Sequence, residues 1–109
     1  MDVMFFAKLR EDIGVGHCSV SFAELGLEGL QSVDQIIQAL LANAHLGHFD
    51  GMDLQVLDAL YAAALKSNTG PQARPKLLAS VDQCLADDFF LACINNDSEI
   101  AFFPPVSGG

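Results

Sequence analysis

One helical stripe set between period-two segments limits this chain to very few folds. Ser32-Val33-Asp34-Gln35 has the form of a capping box, in which the Ser32 hydroxyl accepts from the Gln35 amide and the Gln35 side chain reaches back to the Ser32 N–H. Val33, Ile36, Ile37, Leu40, Leu41 and Ala44 follow at i, i+3, i+4, i+7, i+8 and i+11, the spacing of one apolar helical face. Such a helix needs a second layer to cover that face. The chain offers strands for it on both sides.

Val3, Phe5, Ala7 and Leu9 alternate with Met4, Phe6, Lys8 and Arg10, the pattern of a strand with one face inward. Gly14 and Gly16 mark a turn, after which Cys18, Val20 and Phe22 alternate with His17, Ser19 and Ser21. A second strand is expected there, antiparallel to the first in an opening hairpin. The capped helix should lie across the inner face of that hairpin and end near Gly47. Leu54, Leu57, Tyr61, Ala64 and Leu65 keep helical spacing, with Asp50 or Asp53 as cap, so a further helix is expected before Asn68-Thr69-Gly70-Pro71 breaks it. Residues 76–82 read as a third strand, residues 89–94 as a short apolar element, and Glu99 to Phe103 as the last strand. This pattern gives an α+β class, and 109 residues are expected to form a single domain, residues 1–109.

Fourteen acidic against five basic side chains give a net charge of −9. That balance repels phosphate backbones and anionic membranes alike, so neither nucleic acid nor membrane is an expected partner; a basic protein surface is. No apolar run approaches the roughly 18 residues that span a bilayer, and the start, Met1-Asp2-Val3, has no basic n-region. A cytoplasmic location is expected. Cys18, Cys84 and Cys93 form no C-x-x-C pair and read as reduced core or edge residues. His45 and His48 share a helical spacing, but no cysteine or acidic cluster completes a metal site. No nucleophile elbow, phosphate-binding glycine loop or Cys-His pairing stands out, so the chain is not expected to turn over a substrate alone.

The chemistry is expected at the C-terminus. Pro104 and Pro105 fix φ near −65° and lack an N–H, so the last strand cannot continue and the chain leaves as a stiffened extension. Gly108 and Gly109 have no Cβ, which leaves the terminal carboxylate unshielded and able to thread a narrow channel. The tail, residues 104–109, can project roughly 20 Å at about 3.3 Å per residue.

Glu99-Ile100-Ala101-Phe102-Phe103-Pro104-Pro105-Val106-Ser107-Gly108-Gly109 closely resembles the C-terminus of the small, sulfur-carrying subunit of molybdopterin synthase, a ubiquitin-like β-grasp family. Val3-Met4-Phe5-Phe6-Ala7-Lys8-Leu9-Arg10-Glu11 resembles that family's first strand. The resemblance implies a mixed sheet packed on one main helix, with the two terminal strands parallel at its centre. Residues 45–76 look like an extra helix and loop inserted into that plan.

The resemblance further implies that Gly109, preceded by Gly108, is adenylated by a partner activating enzyme using ATP and then converted to a thiocarboxylate. Within a heterotetrameric synthase, the large subunit would receive Pro104, Pro105, Val106 and Ser107 along its channel and hold the pterin precursor. Phe6, Phe103 and Leu85 match the family's docking positions, although Ala79-Ser80-Val81-Asp82 before Leu85 departs from the usual Ala-Val-Asn. Asn96-Asp97-Ser98-Glu99 replaces the family's Asp-Gly-Asp-Glu turn. No metal or cofactor is expected on this chain itself. Two other uses of an activated Gly-Gly end stay open: conjugation to proteins through Gly109, and sulfur delivery to another pathway such as thiamine synthesis.

Overall fold

The computed structural model describes residues 1–67 and 77–104. Five strands, β1 (Asp2–Phe5), β2 (His17–Ser19), β3 (Leu78–Val81), β4 (Cys84–Leu85) and β5 (Glu99–Phe103), form one sheet in the order β2-β1-β5-β3-β4. The terminal strands β1 and β5 pair in parallel, from Asp2 opposite Glu99 to Phe5 opposite Phe102, and every other pairing is antiparallel. Alternation along the strands then divides the sheet into two faces. Val3, Phe5, Ala79, Ile100 and Phe102 point into the core and are almost wholly buried. The rings of Phe5 and Phe102 stack there with centroids 5.8 Å apart.

Among the described residues four α-helices, α1 (Ala7–Ile13), α2 (Phe22–Leu25), α3 (Val33–Ala42) and α4 (Leu54–Ser67), and a short 3-10 turn at Gly47–Phe49 accompany the sheet. The α3 capping box forms as expected, with Ser32 Oγ accepting from the Gln35 N–H and Gln35 Oε1 from the Ser32 N–H. Val33, Ile36, Ile37 and Leu40 are buried in the same core as the inner sheet face. The helix ends at Ala42, earlier than Gly47: Asn43 makes the last i→i−4 bond, to the Ala39 carbonyl that its side-chain amide also reaches, and the Ala44 N–H then tightens to the Leu41 carbonyl. Ala44 is consequently exposed outside the stripe.

The opening strand is shorter than its alternation suggests. Phe5, Leu9 and Ile13 are spaced by four, and all three are buried, so the segment after Phe6 satisfies the core as a helix. Ala7 turns the chain at φ 54° and Gly14 ends α1 in the left-handed region at φ 98°, its N–H donating to the Arg10 carbonyl. A Cβ at Gly14 would also press on the Gly51 carbonyl at 3.0 Å. The expected hairpin is therefore two antiparallel strands joined by a helix. Phe22 likewise leaves the strand pattern to start α2, which a second capping box, Ser21 with Glu24, initiates.

Leu54, Leu57 and Tyr61 of α4 are buried while Leu65 is exposed, and Asp53 Oδ1 accepts from the Gln55 N–H at the helix start. Tyr61 donates its hydroxyl to Asp34 in the first turn of α3 and stacks on Phe89 at 6.1 Å. The break expected at Asn68-Thr69-Gly70-Pro71 lies outside the described residues. Residues 89–94 form no regular element: Phe89 packs inward, and Ile94 makes an isolated bridge to Gln31. Between β3 and β4, Asp82 and Gln83 both take positive φ, 50° and 72°, the condition of a type I′ hairpin turn.

Two stability predictions follow from these contacts. Gln83→Gly removes about 1–2 kcal/mol of left-handed strain at an added unfolded-chain entropy of roughly 0.5–1 kcal/mol, so thermal unfolding should move upward, by up to about 5 °C. Tyr61→Phe should lose about 1–2 kcal/mol in urea unfolding at pH 7, through the missing bond to Asp34. Burial, and then Asp34 as hydrogen-bond partner and as neighbouring charge, push the Tyr61 phenol well above its ordinary value of 10.0. The folded state keeps a proton that the unfolded chain releases, so this contribution is present below pH 10 and falls as pH rises beyond it. Tyr61 is the only tyrosine, so phenolate absorbance should titrate well above pH 10 in the folded protein and near 10 in urea.

Candidate docking surface and tail exit

The central position of β5 decides where the chain leaves the sheet. Its last residue, Phe103, lies opposite Leu78 and on the face away from the core, since its neighbour Phe102 points inward. The Phe6 N–H donates to the Phe102 carbonyl at 3.2 Å, extending the parallel ladder by one bond before Ala7 turns away. Phe6 and Phe103 are thereby stacked, with centroids 5.0 Å apart and ring planes 11° from parallel. Phe6 remains 36 % exposed; Phe103 and Pro104 are half-buried.

Phe6 was expected to share a strand face with Lys8 and Arg10. Those residues lie instead on α1, where Lys8 pairs with Asp12 at 3.2 Å, and Phe6 owes its exposure to its place as the residue capping that helix. Leu85 is 61 % exposed on β4, opposite Ser80, which is itself opposite Ala101 of β5. It shares the open face of the sheet with Phe103, two strands across and two residues along, or about 12 Å away. Phe6 and Phe103 are in contact, and Leu85 is the outlying third residue. Pro105, Val106, Ser107, Gly108 and Gly109 lie outside the described residues.

Met4 and Leu78 join this face without having been singled out from the sequence. Both are half-buried at positions alternating with core residues, and the alternation of Met4 with Val3 and Phe5 was the available signal. The far end of the face is acidic, with Asp2 beside Glu99 on neighbouring strands. Asp2 accepts from Ser19 Oγ at 2.6 Å and lies 3.4 Å from His17 Nε2; the Ser19 bond first, then His17, hold its carboxyl below the usual range. Lys8 and Arg10 belong to α1 and not to a strand of this face.

Among the described residues no group of three His, Cys, Asp or Glu side chains could hold a metal ion, and no helix is long and apolar enough to cross a membrane. Cys18 is buried, and burial pushes its thiol up to about 11; Cys84 and Cys93 are exposed and free. A colorimetric thiol reagent at pH 8 should therefore titrate two thiols promptly and the third only in denaturant. Three fast thiols would contradict the burial of Cys18.

This sheet, with parallel terminal strands at its centre and helices on its inner side, defines a ubiquitin-like β-grasp protein. SAMP1 from Haloferax volcanii shares the fold with a TM-score of 0.57 at 23 % identity, over 100 % of this chain and 98 % of that one. The small archaeal modifier protein 1 from Methanosarcina acetivorans does so with a TM-score of 0.54 at 18 % identity, over 99 % and 94 %. No protein-family model matches the chain. The molybdopterin synthase sulfur carrier subunit of Haemophilus influenzae is 30 % identical over 109 residues, covering 100 % of this chain and 99 % of that protein. The chain belongs to the family of molybdopterin synthase sulfur carrier subunits.

Proposed function

We propose that this protein carries sulfur as a thiocarboxylate on Gly109 and donates it within a molybdopterin synthase. A partner activating enzyme joins the Gly109 carboxylate to AMP from ATP, releasing pyrophosphate. A sulfur nucleophile then displaces AMP at the acyl carbon and leaves a thiocarboxylate. On the large subunit that sulfur bonds to a side-chain carbon of the cyclic pyranopterin monophosphate as an oxygen substituent leaves that carbon, and water then attacks the resulting thioester, cleaving the acyl–sulfur bond and restoring the Gly109 carboxylate. Two such donations complete the dithiolene.

The observation that carries this reading is the position of Phe103, at the end of the central strand and stacked on the partly exposed Phe6. The residues that follow start from an apolar platform that a partner can cover, so binding the platform also delivers the tail. The full-length relative from Haemophilus influenzae supports the same reading. A large subunit would grip Phe6, Phe103 and Leu85, guide Pro104, Pro105, Val106, Ser107 and Gly108, and supply the basic pocket for the pterin phosphate. The activating enzyme would read the same platform.

Intact mass of the protein purified from its native cells tests the carrier role directly, because one terminal oxygen is replaced by sulfur. An isopeptide link from Gly109 to lysines of other proteins would instead favour the modifier role. A chain extended by one residue beyond Gly109 should lose sulfur transfer with unchanged thermal stability. The reacting carbon must approach its target to about 3–3.5 Å, and one residue displaces it by roughly 3.5 Å. Dithiolene formation by the extended chain, with the extension still present by mass, would sink the proposal.

A further inference from the structure

We propose that Ala7 is a positioning residue for tail delivery: its left-handed backbone locks the joint between β1 and α1, and so holds the Phe6 ring on Phe103 at the root of the tail. This rests on the carrier reading above. Ala7 takes φ 54°, a region that sterics make costly for any residue with a Cβ. Glycine is the ordinary occupant of that region, as at Gly14, Gly26, Gly29 and Gly51. Among the described residues the other non-glycine positions there are Asp82, whose Oδ1 accepts from the Glu99 N–H at 2.9 Å, and Gln83, which completes the tight turn beside it. Ala7 has no polar side-chain atom to use, and its side chain is exposed, so packing does not select alanine over glycine. What alanine supplies and glycine lacks is restriction of the backbone.

Both sides of the joint are fixed, and Phe6 lies between them. Leu9 and Ile13 seat α1 in the core, and the Asp53 N–H holds the Ile13 carbonyl at 2.9 Å. On the other side β1 pairs with β5 as far as Phe5 opposite Phe102. Phe6 comes just past that ladder, at φ −123° and ψ 159°, and no side-chain bond caps α1 there. Its N–H donates to the Phe102 carbonyl at 3.2 Å and its carbonyl accepts from the Arg10 N–H at 3.3 Å, so one residue belongs to sheet and helix at once. The two other wells open to alanine, extended and right-handed, would aim α1 elsewhere, and the burial of Leu9 and Ile13 forbids that. Alanine therefore leaves the joint one solution. Glycine opens several, and the sheet bond of Phe6 can then break while Leu9 and Ile13 stay seated. The Phe6 ring, stacked 5.0 Å from Phe103 with the planes 11° apart, would leave it. Pro104 and the tail follow Phe103 directly, so a partner would have to order that platform itself before it received the tail.

The test compares three full chains: wild type, Ala7→Gly, and a chain with D-alanine in place of Ala7, which favours positive φ without the strain. The last is made by joining a synthetic thioester of residues 1–17 to a chain that starts at Cys18. In Ala7→Gly the Phe6 amide should exchange with solvent about fivefold faster, as one residue gains freedom, while the Phe5 amide, bonded to the Gly16 carbonyl, is unchanged. Affinity for a purified large subunit, by surface plasmon resonance, should fall by about the same factor. With thiocarboxylated carrier, the half-saturating concentration for dithiolene formation should rise at an unchanged maximal rate. The unfolding temperature should stay level or rise, whereas loss of a merely structural contact would lower it. The D-alanine chain should return both exchange and affinity to the wild-type values. Unchanged Phe6 exchange or unchanged affinity in Ala7→Gly would overturn the proposal, as would a folded D-alanine chain that binds as weakly as Ala7→Gly. Should the D-alanine chain not fold, exchange and affinity in Ala7→Gly decide alone. Wild type that binds no large subunit and forms no dithiolene would be a failure of the carrier reading, and the Phe6 exchange rate, measured without any partner, keeps the two results apart.

Discussion

The parallel pairing of β1 with β5 is the contact on which the rest of the molecule depends. It places Phe5 against Phe102 inside the sheet and, one residue further along each strand, Phe6 against Phe103 outside it. The inner pair belongs to the core that α3 closes, and the outer pair begins the surface that the tail leaves. One register thus sets both a buried aromatic stack and an exposed one. A slip of one residue would exchange the two faces, which ties the exposed aromatic pair to the correctness of the fold.

Some of this was legible in the sequence and some was not, for physical reasons. The Ser32 capping box, the α3 stripe and the last strand followed from patterns that each admit one reading. The first strand was overextended because Phe5, Leu9 and Ile13 satisfy period two and period four together, and only tertiary packing chooses between them. The β3–β4 hairpin was missed because Asp82-Gln83 adopts a glycine-type turn without a glycine. At the site, Phe6 was placed on the right surface for the wrong reason, as a strand residue instead of a helix cap. Leu85, singled out only through the resemblance, lies on the same face as Phe103, whereas Met4 and Leu78 carry no chemical label that would separate them from ordinary core residues.

The residues between α3 and β3 add more than bulk. Tyr61 connects α4 to α3 through Asp34 and to the 86–93 loop through Phe89, so three segments distant in sequence meet around one phenol. Asp53 donates its N–H to the Ile13 carbonyl at 2.9 Å, and Gly14 lies close to the Gly51 carbonyl, which seats the same segment on the end of α1. An apolar ring with one satisfied polar atom suits such a junction, since it contributes burial and direction together.

The central strand β5 is also the last of the described strands in chain order. The Met1 ammonium donates to the Asn96 carbonyl across 95 positions, and β1 finds its main partner only when β5 is available. During translation Val3 and Phe5 must therefore wait almost the whole length of the chain, with the slow closure and exposed apolar edge that such long-range pairing entails. A chain broken off before β5 lacks the middle of its sheet and the partners of both Phe5 and Phe6, so neither aromatic stack forms until the last described strand is made.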